Sequence, residues 1–183
     1  FRVVHLVQSG GGNDELLAVA YNKIGDYYAD RQKWSKAVKS YKEANNLEAL
    51  VTCYYTVEDF AGLDEVINAL PEGSRLLQDV GEKFQSVGMC NSAVSAFLKL
   101  GDVKAAIDCC VLLNQWDQAV ELAEQNDFPQ IEGLLSKYGS HLLEKGKKLQ
   151  AIELYRKANK SPEAAKLLCG MAQEVLRART NHQ

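Results

Sequence analysis

Three glycines limit what this chain can become, because each occupies the same place in the same pattern. Around Gly25 stand Tyr21, Ile24 and Tyr28, then Ala37, Tyr41 and Ala44. Around Gly81 stand Leu77, Val80 and Phe84, then Ala93, Phe97 and Leu100. Around Gly139 stand Leu135, Tyr138 and Leu142, then Ala151, Tyr155 and Ala158. Measured from each glycine, the offsets are −4, −1, +3, +12, +16 and +19 all three times. Steps of three and four residues place apolar side chains on one face of an α-helix. The gap between +3 and +12 interrupts that face, so each copy is a pair of helices joined by a turn. The glycine and alanine positions are where the two helices come closest. One such hairpin cannot bury its apolar stripe alone, and stacking the next hairpin against it completes the core.

A shorter motif extends the repeat along the chain. Trp34-Ser-Lys-Ala37-Val38, Cys90-Asn-Ser-Ala93-Val94, Trp116-Asp-Gln-Ala119-Val120 and Lys148-Leu-Gln-Ala151-Ile152 share one form, and Phe60-Ala-Gly-Leu63-Asp64 is a weaker copy. The key positions are separated by 26, 30, 26 and 32 residues. The pattern resembles the tetratricopeptide signature. It predicts an all-α chain of about eleven helices, an α-solenoid of tetratricopeptide-like hairpins over 15–183. The hairpins are expected at about 15–45, 47–70, 74–100, 102–126 and 128–159, with the opening helix of a sixth at 162–179. The second and fourth are short and lack the glycine of the others. Residues 1–14 are expected to hold the end of a preceding helix and a Gly-rich loop. Pro71, Pro129 and Pro162 fall between hairpins, where a helix has stopped or just begun. Ser161 before Pro162 and Glu163 has the form of an N-cap. Gly25, Ala37, Gly81, Ala93, Ala119, Gly139 and Ala151 are the expected packing positions of the repeat.

Little in the chain points to chemistry. There is no phosphate-loop, zinc-protease or nucleophile-elbow motif. Gly10-Gly11-Gly12 follows no strand and is followed by Asp14 and Glu15, which would repel an anion, so it is expected to be a connector. Cys53, Cys90, Cys109, Cys110 and Cys169 form no C-x-x-C and are odd in number. They are expected to be reduced, small core hydrophobes of a cytosolic protein rather than disulfides or zinc ligands. His5, His141 and His182 are too scattered to join them in a metal site. No catalytic residue, cofactor or metal is expected. The net charge is −3, with acids and bases spread along the chain and no basic stripe, so nucleic acid is not an expected partner. No apolar run approaches the ~20 residues needed to cross a bilayer, so this segment is not expected to insert in a membrane. The chain opens on Phe1 without a signal-peptide pattern and is expected to be a piece of a longer protein.

Protein recognition is what remains. In tetratricopeptide arrays the leading helices line a concave face, and the non-signature positions point into it. Here those are Asn22, Asp26, Gln78, Glu82, Gln85, Ser136, Ser140 and Glu144, a polar and mildly acidic candidate partner groove. Asp26 and Glu82 disfavour a ligand that ends in a carboxylate.

Six stretches carry a closer resemblance. They are Ile24-Gly-Asp-Tyr-Tyr-Ala-Asp-Arg-Gln-Lys-Trp34-Ser-Lys-Ala-Val38, Cys53-Tyr-Tyr-Thr-Val-Glu-Asp-Phe-Ala-Gly-Leu63 and Val87-Gly-Met-Cys-Asn-Ser-Ala-Val94. Leu113-Asn-Gln-Trp-Asp-Gln-Ala-Val-Glu-Leu-Ala123, His141-Leu-Leu-Glu-Lys-Gly and Ala151-Ile-Glu-Leu-Tyr-Arg-Lys-Ala-Asn159 complete the series. In order along nearly the whole chain, they resemble the helical region of the intraflagellar transport complex A subunits. The resemblance implies a non-enzymatic scaffold, the middle of a helical tail that follows β-propellers. Its implied partners are other complex A subunits and ciliary cargo proteins. Its implied place is the cytoplasm, cilium and basal body, in return transport, membrane-protein entry and cilium assembly. The alternatives are a peptide-binding adaptor and a vesicle-coat-like trafficking subunit outside the cilium.

Overall fold

The computed structural model describes residues 13–180. The helix end expected over Phe1–Val7 and most of the Gly-rich loop lie outside the described residues. Asn13 caps the first helix through its side chain, which accepts from the Glu15 amide at 3.1 Å, and Asp14 is already helical.

Every regular element among the described residues is an α-helix. In chain order they are α1 (Asp14–Asp30), α2 (Trp34–Glu43), α3 (Leu47–Thr56), α4 (Phe60–Ala69), α5 (Leu76–Ser86) and α6 (Cys90–Leu100). Then follow α7 (Val103–Leu112), α8 (Trp116–Gln125), α9 (Ile131–Glu144), α10 (Lys148–Lys157) and α11 (Ser161–Thr180). The fold is the all-α, tetratricopeptide-like one that the repeat predicts. The helices fall into two compact units that divide after Asp102. In the first, α1 pairs with α2, α3 with α4 and α5 with α6, and neighbouring pairs share a core that includes Val51, Leu63, Leu77, Val80 and Phe84. In the second, α7 pairs with α8 and α9 with α10, and α11 lies against α10. Leu142, Ala151, Ile152, Tyr155 and Ala164 form a buried cluster there.

One turn design joins nearly all of these helices. Gln32, Asn45, Glu58, Gly88, Gly101, Asn114, Asp127, Gly146 and Asn159 each have a left-handed backbone. In all nine turns this residue donates its amide to the carbonyl three back, and the next residue donates to the carbonyl five back. The second bond spans Lys33 to Tyr28 at 2.9 Å, Met89 to Phe84 at 3.0 Å and Lys147 to Leu142 at 2.8 Å, for example. Two bonds of this kind satisfy the carbonyls that a helix end otherwise leaves open.

In most of these turns the residue that closes one helix also opens the next. The carbonyls of Lys33, Met89, Gln115 and Lys147 accept from the amides of Ala37, Ala93, Ala119 and Ala151. The alanine of the short motif is therefore the fourth residue of its helix, and all four alanines are fully buried. Leu63 has the same place in α4, where Asp59 caps the Gly62 amide with its side chain at 3.0 Å. At α11 the Lys160 carbonyl takes this role and Ser161 is the first helical residue, so the N-cap expected at Ser161 lies one residue earlier. The connection between α4 and α5 is the exception. It is longer, and Gly73 donates instead to the Lys99 carbonyl at 3.0 Å.

A glycine inside a helix costs about 0.5–1 kcal/mol relative to alanine, so its presence needs a local reason. Here the reason is an aromatic ring. A methyl group built on Gly25 would lie 2.5 Å from the Tyr41 ring, one on Gly81 2.7 Å from Phe97, and one on Gly139 3.0 Å from Tyr155. In each case the ring comes from the trailing helix and packs against the backbone of the leading one. The second hairpin has the same lock turned round. Tyr54 on leading α3 packs on Gly62 of trailing α4, where a methyl group would stand 2.5 Å from the ring. That hairpin lacks a leading-helix glycine, but it does not lack the glycine contact.

Candidate functional site

The leading helices α1, α5 and α9 carry the eight polar groove positions, and several of these already have partners. Asp26, the residue after Gly25, accepts a hydrogen bond from the Tyr41 hydroxyl at 2.6 Å. Ser140, the residue after Gly139, lies 3.1 Å from the Tyr155 hydroxyl. After Gly81 comes Glu82, and the ring that meets this glycine is Phe97, which has no hydroxyl. Glu82 accepts instead from Gln78, one turn away, at 3.1 Å. The residue after each glycine thus matches the ring that covers it, polar latch for tyrosine and open acid for phenylalanine. Asn22 accepts from the Asn46 side-chain amide at 2.9 Å, and Asn46 in turn caps the Ala49 amide. Asn22 and Asp26 therefore tie α1 to the helices behind it.

The remaining groove positions differ in environment. Glu82 and Gln78 are exposed on α5, and Gln85 is half-buried. On α9, Glu144 is exposed, and the Ser136 hydroxyl is buried without a hydrogen-bond partner among the described residues.

Burial and the Asp26 carboxylate together hold the Tyr41 hydroxyl well above its ordinary pKa of 10.0. The folded chain keeps this proton where the unfolded chain releases it. The resulting stability is fully present below about pH 10 and declines as pH rises above it. Tyr41→Phe should flatten the fall in melting temperature between neutral and strongly alkaline pH. A parent and a variant with the same alkaline slope would dissociate Tyr41 from that loss.

The second unit contains an aromatic cluster that reading single repeats missed. The Trp116 and Tyr138 rings stack at 5.3 Å with 5° between their planes, and His141 packs on the same indole at 5.2 Å. The Tyr138 hydroxyl donates to Asp117 at 2.8 Å, and burial followed by this bond raises its pKa. Trp116 is the first residue of α8, and Tyr138 and His141 lie on α9. The signal was present in the two tryptophans that open trailing helices, but the pairing crosses from one hairpin to the next. An open cleft of about 410 Å³ beside this cluster is lined by Asp117, Tyr138, Leu142, Glu153, Leu154 and Lys157, among others. Lys157 pairs there with Glu124.

Cys53, Cys109 and Cys110 are buried, and burial pushes the Cys53 thiol upward. Among the described residues, no group of three His, Cys, Asp or Glu side chains is placed to hold a metal ion, and no helix is long and apolar enough to cross a membrane.

Comparison with known proteins shows what this helical chain is similar to. A family model described as WD repeat-containing protein 35, TPR repeats, matches residues 129–182. The rat WD repeat-containing protein 35 is 52% identical over 182 residues, which cover 98% of this chain and 16% of the relative. Over nearly its whole length, this chain is similar to a segment of WD repeat-containing protein 35. The human WD repeat-containing protein 35 is likewise 52% identical, over 95% of this chain and 15% of its own length. More distantly, the Drosophila melanogaster intraflagellar transport protein 172 homolog is 28% identical over 168 residues, 79% of this chain and 10% of the relative. The chain spans about a sixth of the length of the WD repeat-containing protein 35 sequences it matches. The 52% identity runs through both units, α1 to α11.

Proposed function

We propose that this chain is the helical-repeat part of an intraflagellar transport complex A subunit, the counterpart of intraflagellar transport protein 121, and that it acts as a non-enzymatic assembly scaffold. The observation that carries this reading is 52% identity across 98% of the chain to WD repeat-containing protein 35. The more distant likeness to intraflagellar transport proteins points the same way. In this reading its partners are sister subunits and ciliary cargo, its place is the cilium and basal body, and its work is retrograde transport, membrane-protein entry and cilium assembly. The side-chain chemistry supports a scaffold, because polar groups on the leading helices are spent on internal bonds to Tyr41, Asn46 and Tyr155.

The packing residues Gly25, Ala37, Gly81, Ala93, Ala119, Gly139 and Ala151 serve this role by setting the distance between paired helices. The open groove positions Gln78, Glu82, Gln85 and Glu144 are the part of the proposed partner face that internal bonds between helices leave available. We also assign α11 as the leading helix of a further hairpin. Leu168, Met171, Ala172 and Val175 repeat the −4, −1, 0 and +3 spacing, and Leu168 and Val175 are exposed.

The test is affinity purification of the tagged chain from ciliated cells, with crosslinking to locate contacts. Sister complex A subunits are expected among the crosslinked proteins, with lesions in the chain slowing return transport. Recovery without any of these subunits, with normal cilia after deletion of the segment, would reject the assignment.

A further inference from the structure

Charge is spread evenly along the whole chain but not within the first unit. From Arg31 to Lys42 there are five basic residues and no acid, whereas from Glu43 to Glu82 there are nine acids and one base, Arg75. The structure turns the first of these runs into a face. Lys36 and Lys39 on α2, and Lys33 just before it, are all exposed and follow one another at intervals of three residues, over about 9 Å. Arg31 stands in the turn before them, its guanidinium 3.6 Å from the centre of the Tyr27 ring and bonded to the Tyr27 carbonyl at 3.0 Å. The Lys36 ammonium lies 5.5 Å over the Tyr28 ring, and the two tyrosine rings meet edge to face. The expectation of no basic stripe therefore needs correction at this one place, because counting charge along the chain does not show which residues share a side.

Among the described residues, Lys33, Lys36 and Lys39 form no ion pair with a carboxylate, whereas four other lysines do. Lys83, Lys104, Lys148 and Lys157 each pair with a carboxylate among the described residues. The neighbouring Tyr54 raises the Lys42 pKa. One helical turn on from Lys33 and Lys36 come Ala37 and Ser40, so of the three lysines only Lys39 has an acid, Glu43, at the spacing where a helix pairs charges. Like charges so close repel one another, a cost that the contacts of Arg31 and Lys36 with the Tyr27 and Tyr28 rings offset in part.

We propose that Arg31, Lys33, Lys36 and Lys39 form a docking face for an acidic segment of a partner protein. A strand rises about 3.3 Å per residue, so the row matches three or four residues rich in aspartate and glutamate. The row is too short to follow a long polyanion, and the exposed Asp26 and Asp30 on α1 would oppose a continuous phosphate track. This assignment rests on the charges of the first unit and is independent of the family reading.

The test is a fluorescence-anisotropy titration of the 183-residue chain with a labelled polyglutamate peptide, at two salt concentrations. Saturable, salt-sensitive binding is expected, weakened roughly tenfold or more by Lys36→Glu with Lys39→Glu. Lys36→Gln with Lys39→Gln should weaken it less. Both pairs should melt at or above the parent temperature, because they relieve repulsion, so lost binding is not lost folding. Lys145→Glu with Lys166→Glu makes the same net charge change on the second unit and should leave binding intact. Equal loss in that control, or no loss in the α2 variants, would overturn the proposal. Tighter binding of a short duplex DNA or of phosphatidylserine vesicles at the same salt would overturn it too, since the occupant would then carry phosphate.

Discussion

Gly81→Leu is expected to destabilise the first unit by about 3 kcal/mol, the upper end for overpacking a close-packed site. The first side-chain atom would fall 2.7 Å from the Phe97 ring, and that ring is almost fully buried with nowhere to turn. Relief requires α5 and α6 to separate, which would break the contacts of Ala93 and Val80 as well. For a chain of this length the loss corresponds to roughly 6–12 °C in melting temperature. A control keeps the result interpretable. Gly133 lies in the first turn of α9 with open space beside it, so Gly133→Leu should leave stability unchanged or raise it by up to about 1 kcal/mol. Removing the ring should also rescue part of the loss: Phe97→Ala combined with Gly81→Leu should cost less than the sum of the two, by about 1 kcal/mol or more. Additive losses, or equal behaviour of the two glycines, would show that ring contact does not explain Gly81.

Phe84→Ala should cost more still, about 3–5 kcal/mol. Phe84 is the largest of the side chains that the fold buries completely. It lies on leading α5, and its ring meets that of Phe60 on α4 at 6.4 Å, so it bridges two hairpins as well as filling one. Stability in repeat arrays is divided between units and the interfaces that join them. Loss of this ring should therefore loosen α3 to α6 together. Hydrogen exchange is the measurement of choice: amides of α3 and α4 should lose protection alongside those of α5 and α6. Loss restricted to α5 would mean that the bridge is not shared.

The all-helical, hairpin-based fold was legible in the sequence because steric demand recurs with the repeat. Close helix approach needs a small residue, the covering ring needs a fixed distance from it, and both leave a trace at constant offsets. The second hairpin was harder to read. Its glycine and aromatic change sides, Gly62 trailing and Tyr54 leading, so a search for glycine on the leading helix passes over it. The polar surface was harder again. Asp26 looks free beside its neighbours in sequence, and its bond to Tyr41 joins residues 15 apart on different helices. The Trp116–Tyr138 stack and the lysine row of α2 depend on which side chains share a side, information that linear spacing holds only in part.

The nine shared turns bear on how this protein can vary. Because most of these connections contain almost no spare residue, adding one there would break the bonds that close one helix and open the next, and carry the following alanine away from the neighbour it fits. Evolution can then lengthen such a chain gracefully by whole hairpins, or at the looser stretches 70–75 and 126–130, the natural places to look for an insertion in its relatives.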